Sequence, residues 1–158
     1  MIYYDIIAYT DGACKGNPGI GGWGVILVSK EGNKELFGAE ANTTNNRMEL
    51  MALIIALEEL KTGCKVVIYS DSKYLLDAYE KKWIKNWKAN GWKTKAKTDV
   101  KNIDLWKKLD SLLSNHQAEF IWVKGHDGHI ENTRCDELAV RASKTPPYLI
   151  DEIYERDK

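Results

Sequence analysis

Apolar residues recur along this chain with two periods, and the points where the period changes divide it into elements. From residue 4 to residue 11 the run YDIIAYTD alternates and predicts a first strand that ends at Asp11. The stretch DGACKGNPGIGGWG follows, in which Pro18, Gly19, Gly21 and Gly22 signal a turn. GWGVILVSK and KELFGAE flank Glu31-Gly32-Asn33, a loop of hairpin type, so three antiparallel strands are expected. The polar NTTNN then offers Asn45 or Asn46 as a helix cap, and apolar positions 50, 53, 54 and 57 form a helical stripe that ends near Gly63.

CKVVIYSD reads as a buried strand, with helices expected around 72 to 80 and 82 to 89. A helix over 101 to 113 precedes the last strand, AEFIWVKG. The final helix carries ENTRCDELAVRAS and is stopped by Pro146-Pro147. Antiparallel strands followed by helix and strand in alternation predict an α/β fold: a five-stranded mixed sheet, three antiparallel then two parallel strands, flanked by helices. Parallel pairing is expected among strands 1, 4 and 5, which sets Asp11 and Asp71 side by side at strand ends where ligands of open α/β sheets bind.

A chain of 158 residues fits one domain, read here as 1–145, with 146–158 a charged, flexible tail that has little to pack. The three cysteines, Cys14, Cys64 and Cys135, contain no C-x-x-C pair, so neither a disulfide framework nor a zinc site is suggested and a reducing compartment is expected. No basic leader and no apolar run of ~18 residues is present, which predicts a cytoplasmic protein without membrane contact. Formal net charge is zero, yet residues 81–101 hold eight lysines against one acid, Asp99, a local net charge of +7. That asymmetry suits a polyanion gripped at one place and a cation-dependent reaction at another.

Four acids lie against apolar runs that ordinarily exclude charge. Asp11 and Asp71 close strands, Glu49 shares a helix face with Ala52, Leu53 and Ala56, and Asp136 lies in the last helix. Each alone reads as a turn residue or a helix-end acid. Gathered together, they would be relieved only by protons or cations, and hard oxygen ligands favour Mg²⁺ or Mn²⁺.

The blocks TDGACKGNPGIGGWG, TTNNRMELMALIIAL, YSDSKYL, NWKANGWKTKAKTDVKN and WVKGHDGHIENTRCDELA resemble, in unbroken order, the motifs of bacterial ribonuclease H type 1 with its basic protrusion. The resemblance implies a ribonuclease H-like fold and a monomeric endonuclease that cuts the RNA strand of RNA·DNA hybrids, leaving 3′-hydroxyl and 5′-phosphate ends. It implies metal-binding roles for Asp11, Glu49, Asp71 and Asp136, with Asp11 bridging two Mg²⁺ ions, Mn²⁺ as a substitute and Asp136 the more peripheral ligand. Two ions activate water and stabilise the leaving oxygen of an in-line displacement. His126 in GHDGH matches a loop histidine implied in proton transfer or product release, and Glu131 a helper of the outer metal.

Recognition of a hybrid needs contact with 2′-hydroxyls, which donate and accept hydrogen bonds. Gly12, Cys14, Asn17, Thr44, Asn45 and Asn46 match positions that contact the hybrid, although asparagine and glycine also serve turns and caps. Lys73 stands where glutamine is expected and Asn42 where a basic residue is frequent; Lys73 cannot accept from a 2′-hydroxyl but can reach a phosphate. The lysine segment, with Lys85 and Lys88, Trp83 and Asn86, matches the protrusion that grips the DNA strand, while Trp83 and Trp87, one helical turn apart, also read as a packed face. Two other functions stay open: an integrase or resolvase of the same fold, and a hybrid-binding module without catalysis, which would not need all four acids.

Overall fold

Half-buried and buried positions alternate through IIAYTDGAC, and the segment forms β1, Ile6–Cys14, three residues longer than the expected end at Asp11. Residues 4–61, 63–124 and 130–156 are described in the computed structural model of the chain. The strand continues because β2, Gly19–Ser29, pairs with it antiparallel as far as Cys14 opposite Gly21. The glycine-rich stretch is therefore mostly strand, and the turn is confined to residues 15–18. β3, Gly32–Thr43, completes the antiparallel half.

Helix α1, Asn45–Glu58, begins after Thr44, whose Oγ1 accepts from the Arg47 N–H at 3.2 Å. It ends five residues before Gly63, earlier than the apolar stripe suggested. β4, Lys65–Ser70, runs parallel to β1 on one side and to β5, Gln117–Trp122, on the other, so the strand order is β3-β2-β1-β4-β5. Between them lie α2 (Lys73–Glu80), α3 (Trp83–Ala89) and α4 (Ile103–Ser114); α5 (Ile130–Ser143) and a short α6 (Glu152–Arg156) follow β5.

Alternation along the strands gives the sheet two different coats. Ala8, Trp23, Val25 and Leu27 face α1, whose Met48, Leu50, Leu53 and Ile54 form the main core with Trp106 and Leu109 of α4. Tyr9, Ile26 and Val28 face α5 through Cys135 and Leu138. Four glycines set how closely the helices approach. A Cβ on Gly12 would lie 2.5 Å from the Met48 carbonyl carbon and the Glu49 nitrogen, and one on Gly21 would meet the Met48 side chain at 2.7 Å. On the other face, a Cβ on Gly22 would lie 2.1 Å from the Ala139 carbonyl oxygen and one on Gly24 2.3 Å from that of Cys135. Both helices thus rest on bare backbone beside β1.

Residues 148–151, for which the apolar pattern offered nothing to pack, lie against the free edge of β3. The Ala41 N–H donates to the Leu149 carbonyl at 2.8 Å and the Leu149 N–H to the Ala39 carbonyl at 3.0 Å. This seats Asp151 beside Arg47, and both side chains are buried. All five guanidinium N–H groups are used. Nε and Nη2 reach Asp151 at 2.7 and 3.1 Å, Nη1 and Nη2 reach Asp104 at 3.0 and 2.8 Å, and Nη1 also donates to Asn102 Oδ1 at 3.3 Å.

Candidate active site

β1 and β4 are in register as far as Tyr9 opposite Tyr69, whose rings stack at 5.0 Å. Asp11 and Asp71 each lie two residues beyond that pair, side by side at the carboxyl edge as expected. Gly24, directly across from Asp11 on β2, has no side chain to cover it. Asp136 rides on α5, held over β1 and β2 by the glycine contacts, and the Cys135 thiol beneath it points to the Tyr9 carbonyl at 3.3 Å. Glu49 lies one turn into α1, above Gly12. All four acids are half-buried.

Burial and proximity show in the protonation of Asp11 and Glu49. Asp11 is pushed up to about 8, first by burial and then by the charges of Asp71 and Asp136, against the Gly12 N–H, which donates to its Oδ1 at 2.9 Å. Glu49 is pushed up to about 7, first by burial; a hydrogen bond from Ser72 opposes that, the charge of Asp71 adds to it, and a bond from Asn45 opposes it again. The Ser72 hydroxyl donates to Glu49 Oε2, and Asn45 Nδ2 donates to Oε1 at 3.1 Å. Burial, and then Asp11, also raise the Cys135 thiol above the usual thiol range, which keeps it protonated and inert.

Ser72 escaped the sequence reading, although a serine ahead of an apolar helical run is a cap signal. Its Oγ accepts from the Leu75 N–H at 3.1 Å to start α2 while it holds Glu49. Arg47 was also passed over inside NNRMEL.

The donor set fits a hard divalent cation, since crowded carboxylates with raised protonation are what such a cation relieves. Among the described residues no three His, Cys, Asp or Glu side chains converge on one ion position as they stand. Glu49 is instead satisfied by Ser72 and Asn45. His126 lies outside the described residues; Glu131 opens α5 in its first turn.

The proposed substrate residues form a rim around these acids. Asn17 Oδ1 accepts from the Asn45 N–H at 2.9 Å, which docks the loop after β1 onto the start of α1. Cys14 Sγ lies 3.4 Å from the Thr43 carbonyl and 3.6 Å from that of Gly19. Gly12 is buried, Asn46 is half-buried, and Lys73 is exposed at the first position of α2. Farther off, Trp83 is half-buried, 5.7 Å from the Tyr74 ring and 5.6 Å from Trp87, which itself packs 5.3 Å from Trp106; the packed-face reading describes both indoles. Lys85 and Asn86 are exposed on α3, and Asn86 Nδ2 donates to the Lys81 carbonyl at 3.3 Å. Lys88 pairs with Asp110 at 3.1 Å.

Known proteins resemble this chain in sequence and fold. The family model described as RNase H matches residues 4–144. A ribonuclease H of Rippkaea orientalis is 56% identical over 150 residues, 95% of this chain and 92% of that protein. One from Francisella tularensis subsp. novicida is 59% identical over 137 residues, covering 87% and 90%. Among solved structures, LC9-RNase H1, a type 1 RNase H with the type 2 active-site motif, superposes with a TM-score of 0.78 at 32% identity over 91% of this chain and 74% of that one. LC11-RNase H1 in complex with an RNA/DNA hybrid gives 0.66 at 26% identity, over 88% and 96%.

Proposed function

We infer the reaction from one premise: the chain belongs to the RNase H family. It is an endoribonuclease that hydrolyses the RNA strand of RNA·DNA hybrids. The observation that carries the further reading is the carboxylate group at the β1–β4 edge, where burial and neighbouring acids hold Asp11 at about 8. The family works with divalent metal. For this chain we assign two Mg²⁺ ions, with Mn²⁺ able to replace them, to Asp11, Glu49, Asp71 and Asp136.

When bound, such ions supply an activated water and a stabilised leaving 3′ oxygen, and the products carry 3′-hydroxyl and 5′-phosphate ends. Asp11 would be shared by the two ions and Asp136 would be the more peripheral ligand, by likeness to the family. Ser72 and Asn45 engage both oxygens of Glu49, so a cation held by this carboxylate would compete with those two bonds. Asn45 links the docked loop, through its N–H on Asn17, to that same carboxylate. Asn17, Asn45 and Asn46 are assigned to reading a 2′-hydroxyl on this side of the carboxylates. Thr44 spends an acceptor lone pair on its cap and keeps its O–H for a phosphate. Gly12 and Cys14 shape the floor of this loop, and Lys73 reaches a phosphate. His126 is assigned to proton transfer or release, a role open to an imidazole as a residue type.

Lys85 and Lys88, with Asn86 and the edge of Trp83, grip the DNA strand. The catalytic unit is read as residues 1–145, acting as a monomer. No described helix is long and apolar enough to cross a membrane. Three free thiols, Cys14, Cys64 and Cys135, support a reducing, cytoplasmic setting.

The decisive experiment incubates a uniform RNA·DNA hybrid, duplex RNA and duplex DNA with the protein and Mg²⁺, beside Asp11→Asn. Cleavage of the hybrid's RNA strand alone, abolished in the variant, is expected. Cleavage of duplex DNA, or full activity of Asp11→Asn, would overturn the reading.

A further inference from the structure

The two sides of α3 meet different surroundings. Trp83 and Trp87 pack toward α4, whereas Lys82, Lys85 and Lys88, three residues apart, line the mouth of a cavity of about 450 Å³. Its floor is made of Leu53, Leu75, Trp106 and Leu109, each no more than 5% exposed, and Tyr79 and Phe120, with rings 5.3 Å apart, form a wall. The space opens to solvent beside Tyr79, which is 59% exposed, so it is an apolar cleft rather than an interior void. It falls within the range of small-molecule sites, which are concave, apolar and carry a few convergent polar groups. The charges at its mouth are three cations and one acid, Asp110, already paired with Lys88 at 3.1 Å.

We propose that this cavity is a binding site for a small anionic amphiphile, an acyl or aromatic body with a single carboxylate, sulfonate or phosphate head. The body packs against the apolar wall of Tyr79 and Phe120, and the head lies among Lys82, Lys85 and Lys88. Charge selects the class: a cationic amphiphile of equal length meets the same floor but three like charges. Two of these lysines are the ones assigned above to the DNA strand, so an occupied cavity raises the KM for hybrid and leaves kcat alone. That competition rests on the lysine-arm reading; the binding does not.

Decanoate is the probe, titrated into the full chain without substrate and followed by tryptophan fluorescence and calorimetry, with decyltrimethylammonium as the control. Saturable decanoate binding, at least about tenfold tighter than the cation, is expected. It should be lost in Leu113→Trp, which fills the wall, and weakened in the exposed double variant Lys82→Glu/Lys85→Glu. Absence of saturable binding, equal binding of the cation, or unaltered affinity in the lysine variant would overturn the site. Saturable binding with an unmoved KM would overturn the competition alone, and the salt dependence of hybrid binding then reports separately on the arm.

Discussion

Asp11 costs the metal-free protein stability at neutral pH, and the sign follows from its direction of shift. Unfolded, the carboxyl titrates near its ordinary value; folded, it holds its proton to about 8. The native state therefore binds more protons between those limits, and stability falls as pH rises through them. Glu49, held to about 7, acts in the same sense. In chelator, Asp11→Asn should match the parent near pH 4 and exceed it above pH 8. Discounted for solvent screening, the gain is about 1–3 kcal/mol, or several degrees in Tm. A melting series across pH checks this; equal curves at high pH would contradict it. Divalent cations compete with the same protons, so their affinity should rise with pH through this interval. Ser72→Ala removes a helix cap and a bond that favours ionised Glu49. It should cost about 1–2 kcal/mol and move the acid limb of the pH–rate profile upward. The four acids stood out because they lie against apolar runs, but only their motif contexts set them apart from turn and helix-end acids. Ser72 and Arg47 did not stand out, because what they hold is distant in sequence.

Most elements were legible from period alone, since strand and helix stripes differ in spacing. The glycine stretch was misread for a physical reason. Glycine marks turns by its backbone freedom, but in Gly22 and Gly24 its use is the missing Cβ, with α5 carbonyls seated 2.1 and 2.3 Å from where that atom would be. A sequence does not distinguish the two uses; a helix approaching from more than a hundred residues away does. Gly24→Ala should lift α5 and Asp136 away from Asp11, with a loss of about 1–3 kcal/mol and a fall in kcat. Gly63→Ala is the contrast. Its φ of +84° makes a side chain strained but leaves open space around it, so about 1 kcal/mol should be lost with kcat intact. Equal kcat in both variants would refute a positioning role for the α5 contact.

Across the whole molecule, charge is divided between the acids at the sheet edge and the lysine arm, and the division was visible in a neutral chain. Neutralising Lys85, Lys88, Lys93 and Lys95 should weaken hybrid binding and flatten its salt dependence with little loss of maximal rate; an unchanged slope would refute the arm. The tail was the least legible part, because its anchor is one buried carboxylate rather than an apolar stripe. Ending the chain after Pro147, or Asp151→Ala, leaves Arg47 buried with one of its two carboxylate partners gone. Either should cost about 3–5 kcal/mol by thermal melting. A truncated protein as stable as the parent would show the pairing to be idle. Arg47 and Asp151 are 104 residues apart in the chain. During synthesis, α1 leaves the ribosome long before Asp151, and so do Asp11, Glu49 and Asp71. Until that carboxylate emerges, the guanidinium two residues from Glu49 has an incomplete seat, and α1 waits on the last stretch of chain for its partner.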